Sequence, residues 1–136
     1  MKNLILSFLF LFSTSFLGAT SLNEGEPSLI VIVNTADWCP TCQKHGPRVE
    51  KELLSEIMKD DQYQVVINDL SDDASKSKAQ KELTAIGLEN FSAENNGTGR
   101  IYFVNPKTKE VVDRVSVKKD SDKIRKELKE ALSEIS

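Results

Sequence analysis

The chain has 136 residues, enough for one domain, and its 39% apolar and 29% charged content is that of an ordinary soluble globular protein. Its 18 Lys and Arg against 21 Asp and Glu leave a formal charge of -3, so the basic face that nucleic-acid binding requires is lacking and nucleic acid is excluded as a partner. Two cysteines and one histidine exclude a disulfide-rich mini-scaffold, a four-cysteine zinc site and any multi-histidine metal centre within one chain.

Residues 1–19 read as a secretory signal peptide. Lys2 precedes an apolar run from Leu4 to Phe12, followed by Ser13, Thr14 and Ser15 and then the small residues Gly18 and Ala19. The run is short for a membrane span, which needs about 20 residues. Cleavage is expected after Ala19, or after Ser21, because Leu17 is bulky for the position three before the first cut. An uncleaved N-terminal anchor is the alternative, and with no cysteine after the run a lipid-anchored precursor is disfavoured. The implied location is periplasmic or secreted, an oxidising compartment where both cysteines can join in a disulfide.

Residues 20–28 form a polar lead-in and residues 29–136 the folded domain. Leu29 to Asn34, LIVIVN, has the β-branched continuity of a strand buried on both faces. A helix is predicted from Cys39 or Pro40 to about Lys59, with Pro40 tolerated in its first turn and Pro47 kinking it. Tyr63 to Asn68 reads as a second buried strand, parallel to the first. Asp72 to Ile86 reads as a polar helix ended by Gly87. Glu89 to Gly99 is expected to be loop. Ile101–Asn105 and Glu110–Val117 are predicted to form a hairpin through the turn Pro106–Lys109. A last helix spans Asp120 to Ile135, with Ile124, Leu128, Leu132 and Ile135 as its core stripe. The order β-α-β-α-β-β-α defines an α/β fold.

The chemistry lies in Trp38-Cys39-Pro40-Thr41-Cys42. Two cysteines three apart, just after a strand and at a helix start, make a C-x-x-C redox motif. Cys39 would sit where free backbone N–H groups and the helix dipole favour a thiolate. Cys42, one turn deeper, is expected to be the less exposed of the two. In that arrangement Cys39 forms the mixed disulfide with substrate and Cys42 resolves it. Trp38 would cover one side of the site, with simple core packing as its alternative role.

These residues resemble the thioredoxin superfamily: the strand LIVIVN, the segment Ala36 to Cys42, and Pro47 eight positions after Cys39. The W-C-P-T-C segment and Asn68 to Asp73 are most similar to extracytoplasmic thioredoxin-like reductases, including those of cytochrome c maturation. The resemblance implies a three-layer α/β fold, with a central mixed sheet of about four strands between flanking helices. It implies protein thiol or disulfide substrates; reduction in an oxidising compartment would in turn call for a membrane reductant as electron donor, and no cofactor or metal ligand is assigned. It places Pro40, Thr41, Thr98 and Gly99 with Trp38 around the catalytic pair Cys39 and Cys42. Two departures stand out. Where the family buries an acid, six residues before the first cysteine, this chain has Val33, leaving water, Asp69 or Asp37 to take the Cys42 proton. Where the family has a cis-proline, this chain has Gly99 beside Thr98; a non-proline cis bond costs about 2.5–4 kcal/mol, so a trans bond is expected.

Two rival readings remain at this level. Cys39, Cys42 and His45 could serve copper binding or metal delivery, since thiolates are soft ligands for Cu(I) and Cys42 and His45 share a helix face. A structural disulfide in a binding module is the other, although so short a ring constrains the unfolded chain little. Neither Pro40 nor Thr41 is charged, so a reducing to intermediate potential is expected, and the reading favours reduction or exchange of disulfides.

Overall fold

The computed structural model describes residues 25–136; the expected leader over residues 1–19 and the lead-in from 20 to 24 lie outside the described residues. Strand β1 (Leu29–Thr35) leads to helix α1 (Pro40–Val49). A π-helical segment (Glu50–Leu54) and a short helix α2 (Ser55–Ile57) continue the same rod. Strand β2 (Tyr63–Asp69), helices α3 (Asp73–Ala85) and α4 (Phe91–Glu94), the hairpin β3 (Arg100–Val104) and β4 (Val111–Ser116), and helix α5 (Ser121–Ile135) complete the chain. No helix among the described residues is long and apolar enough to cross a membrane.

The four strands form one mixed sheet in the order β2-β1-β3-β4. β1 runs parallel to β2 and antiparallel to β3, and β3 is antiparallel to β4. Alternation along β1 explains the layers, because successive side chains point to opposite faces. Leu29, Val31 and Val33 pack with Val49, Leu53 and Ile57 and with Ile124 and Leu128, which seats the α1 rod and α5 on one face. Ile30 and Ile32 pack with Leu83, Leu88, Phe91 and Tyr102, which seats α3 and α4 on the other. This is the three-layer α/β architecture expected from the sequence.

Local signals set the helix ends. Asp72 and Asp120 accept the N–H of Ser75 (2.7 Å) and Lys123 (2.9 Å) and so cap α3 and α5. At the far end of α3, Gly87 takes φ +78°, with Gly87 N–H donating to Thr84 O at 3.1 Å and Leu88 N–H to Leu83 O at 2.8 Å. That is a Schellman ending, which needs a left-handed residue at this point.

Three expectations need correction. β2 is not buried on both faces like β1: it has β1 as its single neighbour and forms one edge of the sheet, and Ile67 is 37% exposed. The stretch from Glu89 to Gly99 is not all loop, because Phe91 anchors the turn α4 by packing edge-on against Tyr102, ring centroids 5.2 Å apart. Pro47 lacks the N–H that would bond the Gln43 carbonyl. Past Pro47 the Glu50 N–H is shared between the Gly46 and Pro47 carbonyls, and the rod continues through a π-helical turn over Glu50–Leu54 rather than as a plain α-helix.

Candidate active site

The turn between β1 and α1 brings Cys39 to the N-cap of α1, with φ -85° and ψ 112°. Cys39 and Cys42 are joined as a disulfide, their Cα atoms 5.2 Å apart. The Cys39 Sγ accepts the Cys42 N–H at 3.2 Å, so sulfur performs the capping that an oxygen usually performs. No acidic residue occupies the first turn of α1. An anion at Cys39 would therefore meet free N–H groups and the positive end of the dipole without an opposing charge in that turn. Both sulfurs are buried: Cys39 is 3% and Cys42 7% exposed, so the expected order of exposure is not observed. The cap position folds Cys39 inward against Ala36 and Leu70.

Trp38 is 59% exposed, which removes the core-packing alternative. Its Nε1–H donates to the Leu70 carbonyl at 3.4 Å, and the ring walls a surface groove with Leu70, Gln80, Ser92 and Asn96. The segment is tied further to the β2–α3 connection by the Asp37 N–H donating to Ser71 Oγ at 2.8 Å. Gln43 Nε2 also donates to the Asp37 carbonyl. Pro40 is the exposed first residue of α1.

Gly99 lies directly across from Thr41. Its N–H donates to Asn34 O at 2.8 Å and its carbonyl accepts from Val117 N–H at 3.1 Å. Its φ is +71°, and a Cβ there would stand 3.1 Å from Thr41 Cγ2. Thr98 is the half-buried residue before it. No peptide bond among the described residues is cis. The loop that the resemblance placed beside the cysteines is thus beside the Pro-Thr turn, by way of a glycine.

A buried amide network holds that loop, and sequence reasoning missed it. Asn34 and Asn68, register partners on β1 and β2, are fully buried. Asn68 Nδ2 donates to Asn34 Oδ1 at 2.8 Å, and Asn34 Nδ2 donates to the carbonyls of Asn95 (2.8 Å) and Gly97 (3.1 Å). Ser92 Oγ donates to Asn68 Oδ1 at 3.4 Å. The available signal was an Asn closing each of two apolar runs, where a buried polar group demands a partner.

Val33 is buried and, as an apolar side chain, contributes no proton acceptor. It lines a largely apolar cavity of about 390 Å³ beside Cys42, together with Gly46, Val49, Glu50 and Ile67. A second cleft also reaches Cys42 and is bordered by Asp37, Gly46, Glu50, Asp69 and Ser71. Asp69 is engaged there, accepting from both the N–H and the Oγ of Ser71. His45 is half-buried on α1, and no three His, Cys, Asp or Glu among the described residues are grouped closely enough to hold a metal ion. No protein-family model and no curated protein matches the chain.

Proposed function

We propose that this protein is a thioredoxin-like thiol–disulfide oxidoreductase, working through Cys39 and Cys42 on proteins of an extracytoplasmic compartment. The observation that carries the reading is the disulfide at the N-terminus of α1, with Cys39 Sγ accepting the Cys42 N–H. In the dithiol form the Cys39 thiolate attacks a substrate disulfide and expels one substrate thiolate, giving a mixed disulfide. Cys42, deprotonated, then attacks Cys39 Sγ. The Cys39–Cys42 bond forms, the second substrate thiolate leaves, and two electrons have passed from protein to substrate. Regeneration requires an external dithiol, and a membrane reductant is the partner that suits an oxidising compartment.

Trp38 and the Gly99 loop flank the pair and supply the wall against which a substrate segment lies. Uncharged Pro40 and Thr41 leave the Cys39 thiolate without a cation between the cysteines, which favours a reducing to intermediate potential.

The test is disulfide reduction with a dithiol as electron source. Cys39→Ala abolishes turnover, while Cys42→Ala accumulates a mixed disulfide detectable by mass. A potential near about −270 mV identifies a reductase, and one near about −120 mV an oxidase. Full activity in both cysteine variants refutes the assignment.

A further inference from the structure

Asn96-Gly97 is the only Asn-Gly step in the chain. We propose that it is a spontaneous modification site, at which Asn96 deamidates and places a carboxylate on the rim of the Trp38 groove. The consequence for substrates rests on the disulfide-exchange reading above; the modification itself does not.

The peptide is open to the reaction. Asn96 is exposed and belongs to no helix or strand. Its side-chain amide and the Gly97 N–H make no hydrogen bond among the described residues. Gly97 has no Cβ to shield its nitrogen, and Arg100 Nε stands 3.3 Å from where one would be. A cation beside a peptide nitrogen favours the deprotonated form that acts as nucleophile. The other described asparagines lack this combination. Asn34 and Asn68 are buried in strands, and Asn90, Asn95 and Asn105 precede Phe91, Asn96 and Pro106, whose side chains crowd the attacking position.

The steps balance with no transfer of electrons. The deprotonated Gly97 nitrogen attacks Asn96 Cγ. The N–Cγ bond forms, the Cγ–Nδ2 bond breaks, and Nδ2 leaves as ammonia. Water then opens the cyclic imide at either carbonyl, giving aspartate or isoaspartate, whose main chain runs through Cγ. Water has entered, ammonia has left, and one negative charge has been gained.

Position makes the product matter. Asn96 lines the groove walled by Trp38 and Leu70, in company with Lys76. A carboxylate there repels an anionic substrate. On either side of Asn96, a single amide, Asn34 Nδ2, holds the carbonyls of Asn95 (2.8 Å) and Gly97 (3.1 Å). Isoaspartate adds one carbon to the main chain between those two carbonyls, so both bonds cannot be kept in their present geometry. The turn into Thr98 and Gly99 then loosens, and charge and loop change together beside Trp38.

The experiment incubates the purified protein in mildly alkaline buffer and follows the tryptic peptide of residues 82–100 by mass spectrometry, with the aspartyl and isoaspartyl forms separated by chromatography. Residue 96 gains about one mass unit, while Asn90 and Asn95 in the same peptide do not. The Gly97 backbone lies outside the left-handed region and accepts a side chain, so Gly97→Ala folds and converts several-fold more slowly. An unchanged residue 96, or an equal rate in Gly97→Ala, overturns the proposal. Asn96→Asp and the aged protein are then compared with wild type on anionic oxidised glutathione and cationic cystamine. The ratio of glutathione to cystamine reduction rates falls by about 2- to 5-fold, the scale of one exposed charge pair, and recovers in high salt. An unchanged ratio in both overturns the placement of the new charge in the path of substrate. A wild-type protein that reduces neither disulfide overturns the exchange reading, and the modification is then decided by the mass measurement alone.

Discussion

Gly99 faces Thr41 across the site, and the space between them fixes what either position tolerates. A Cβ at Gly99 would press on Thr41 Cγ2 from 3.1 Å while the backbone stays at φ +71°. Gly99→Ala is expected to cost about 1–2 kcal/mol for the left-handed backbone, plus the displacement of Thr41. In a Thr41→Ser background, which lacks the Cγ2 methyl, the steric part disappears and the backbone part remains. Urea unfolding of the four proteins separates the two. A proline at 99 does not simply restore the family's loop, because the ring demands a φ near −65°. Asn34 is the second residue whose role is set by its partners. Asn34→Ala leaves the Asn95 and Gly97 carbonyls and the Asn68 amide without their bonds, an expected loss of about 3 kcal/mol in urea unfolding. The C-x-x-C pair and the substitutions at Val33 and Gly99 were legible in the sequence, because each is a local word or a fixed offset from one. The amide network was not, because its donors and acceptors lie 24 to 63 residues apart in the chain.

The elements obey their local signals where burial and capping agree. β1 announced itself through five consecutive β-branched or leucine side chains, and α5 through its Ile124 and Leu128 stripe. β2 carried the apolar character of a central strand and became an edge, since sheet order depends on long-range pairing that composition does not encode. α4 hung on a single aromatic in a polar stretch, too little periodicity to read. Between elements, Arg48 acts as a bolt. Its guanidinium donates to Ser121 Oγ, Val117 O and Lys119 O, each at 2.7 Å, and so ties α1 to the β4–α5 turn. Ser121 Oγ in turn donates to Glu52 at 2.6 Å. Arg48→Lys cannot reproduce three fixed donors, so a loss of about 1–2 kcal/mol is expected. Because Val117 N–H bonds Gly99 O, its amide should also exchange faster with solvent in that variant; unchanged protection would show the turn to be held without Arg48.

For the whole molecule, the titrating groups define the pH range over which the fold is steady. The carboxyls of Asp72 and Asp120 are held below the ordinary carboxylate range, chiefly by the backbone N–H groups of Ser75 and Lys123 that they cap. A depressed folded value contributes stability that is present above the unfolded value near 3.9 and lost as pH falls through the folded one. Asp72→Asn keeps a capping oxygen and loses the charge. Its stability deficit at neutral pH should therefore fade as pH falls below the ordinary carboxylate range. A deficit of equal size at neutral and acidic pH would assign the effect to geometry. At the other end, burial raises the Tyr63 hydroxyl above its usual range, with Asp60 and Glu56 adding to the shift. Its contribution is complete below about pH 10 and is lost as pH rises beyond it, since ionisation is easier in the unfolded chain.

The sulfur that closes the first turn of α1 is also the one that changes oxidation state. Folding and electron transfer are therefore two sides of one thermodynamic square. The factor by which the folded chain prefers its dithiol to its disulfide equals the factor separating its equilibrium with glutathione from that of a free Cys-Pro-Thr-Cys peptide. Any change that strengthens the helix's hold on anionic sulfur draws the pair toward the reduced form and makes it the more avid acceptor of electrons. A substitution in the opening turn of α1 then tunes redox poise without touching either cysteine.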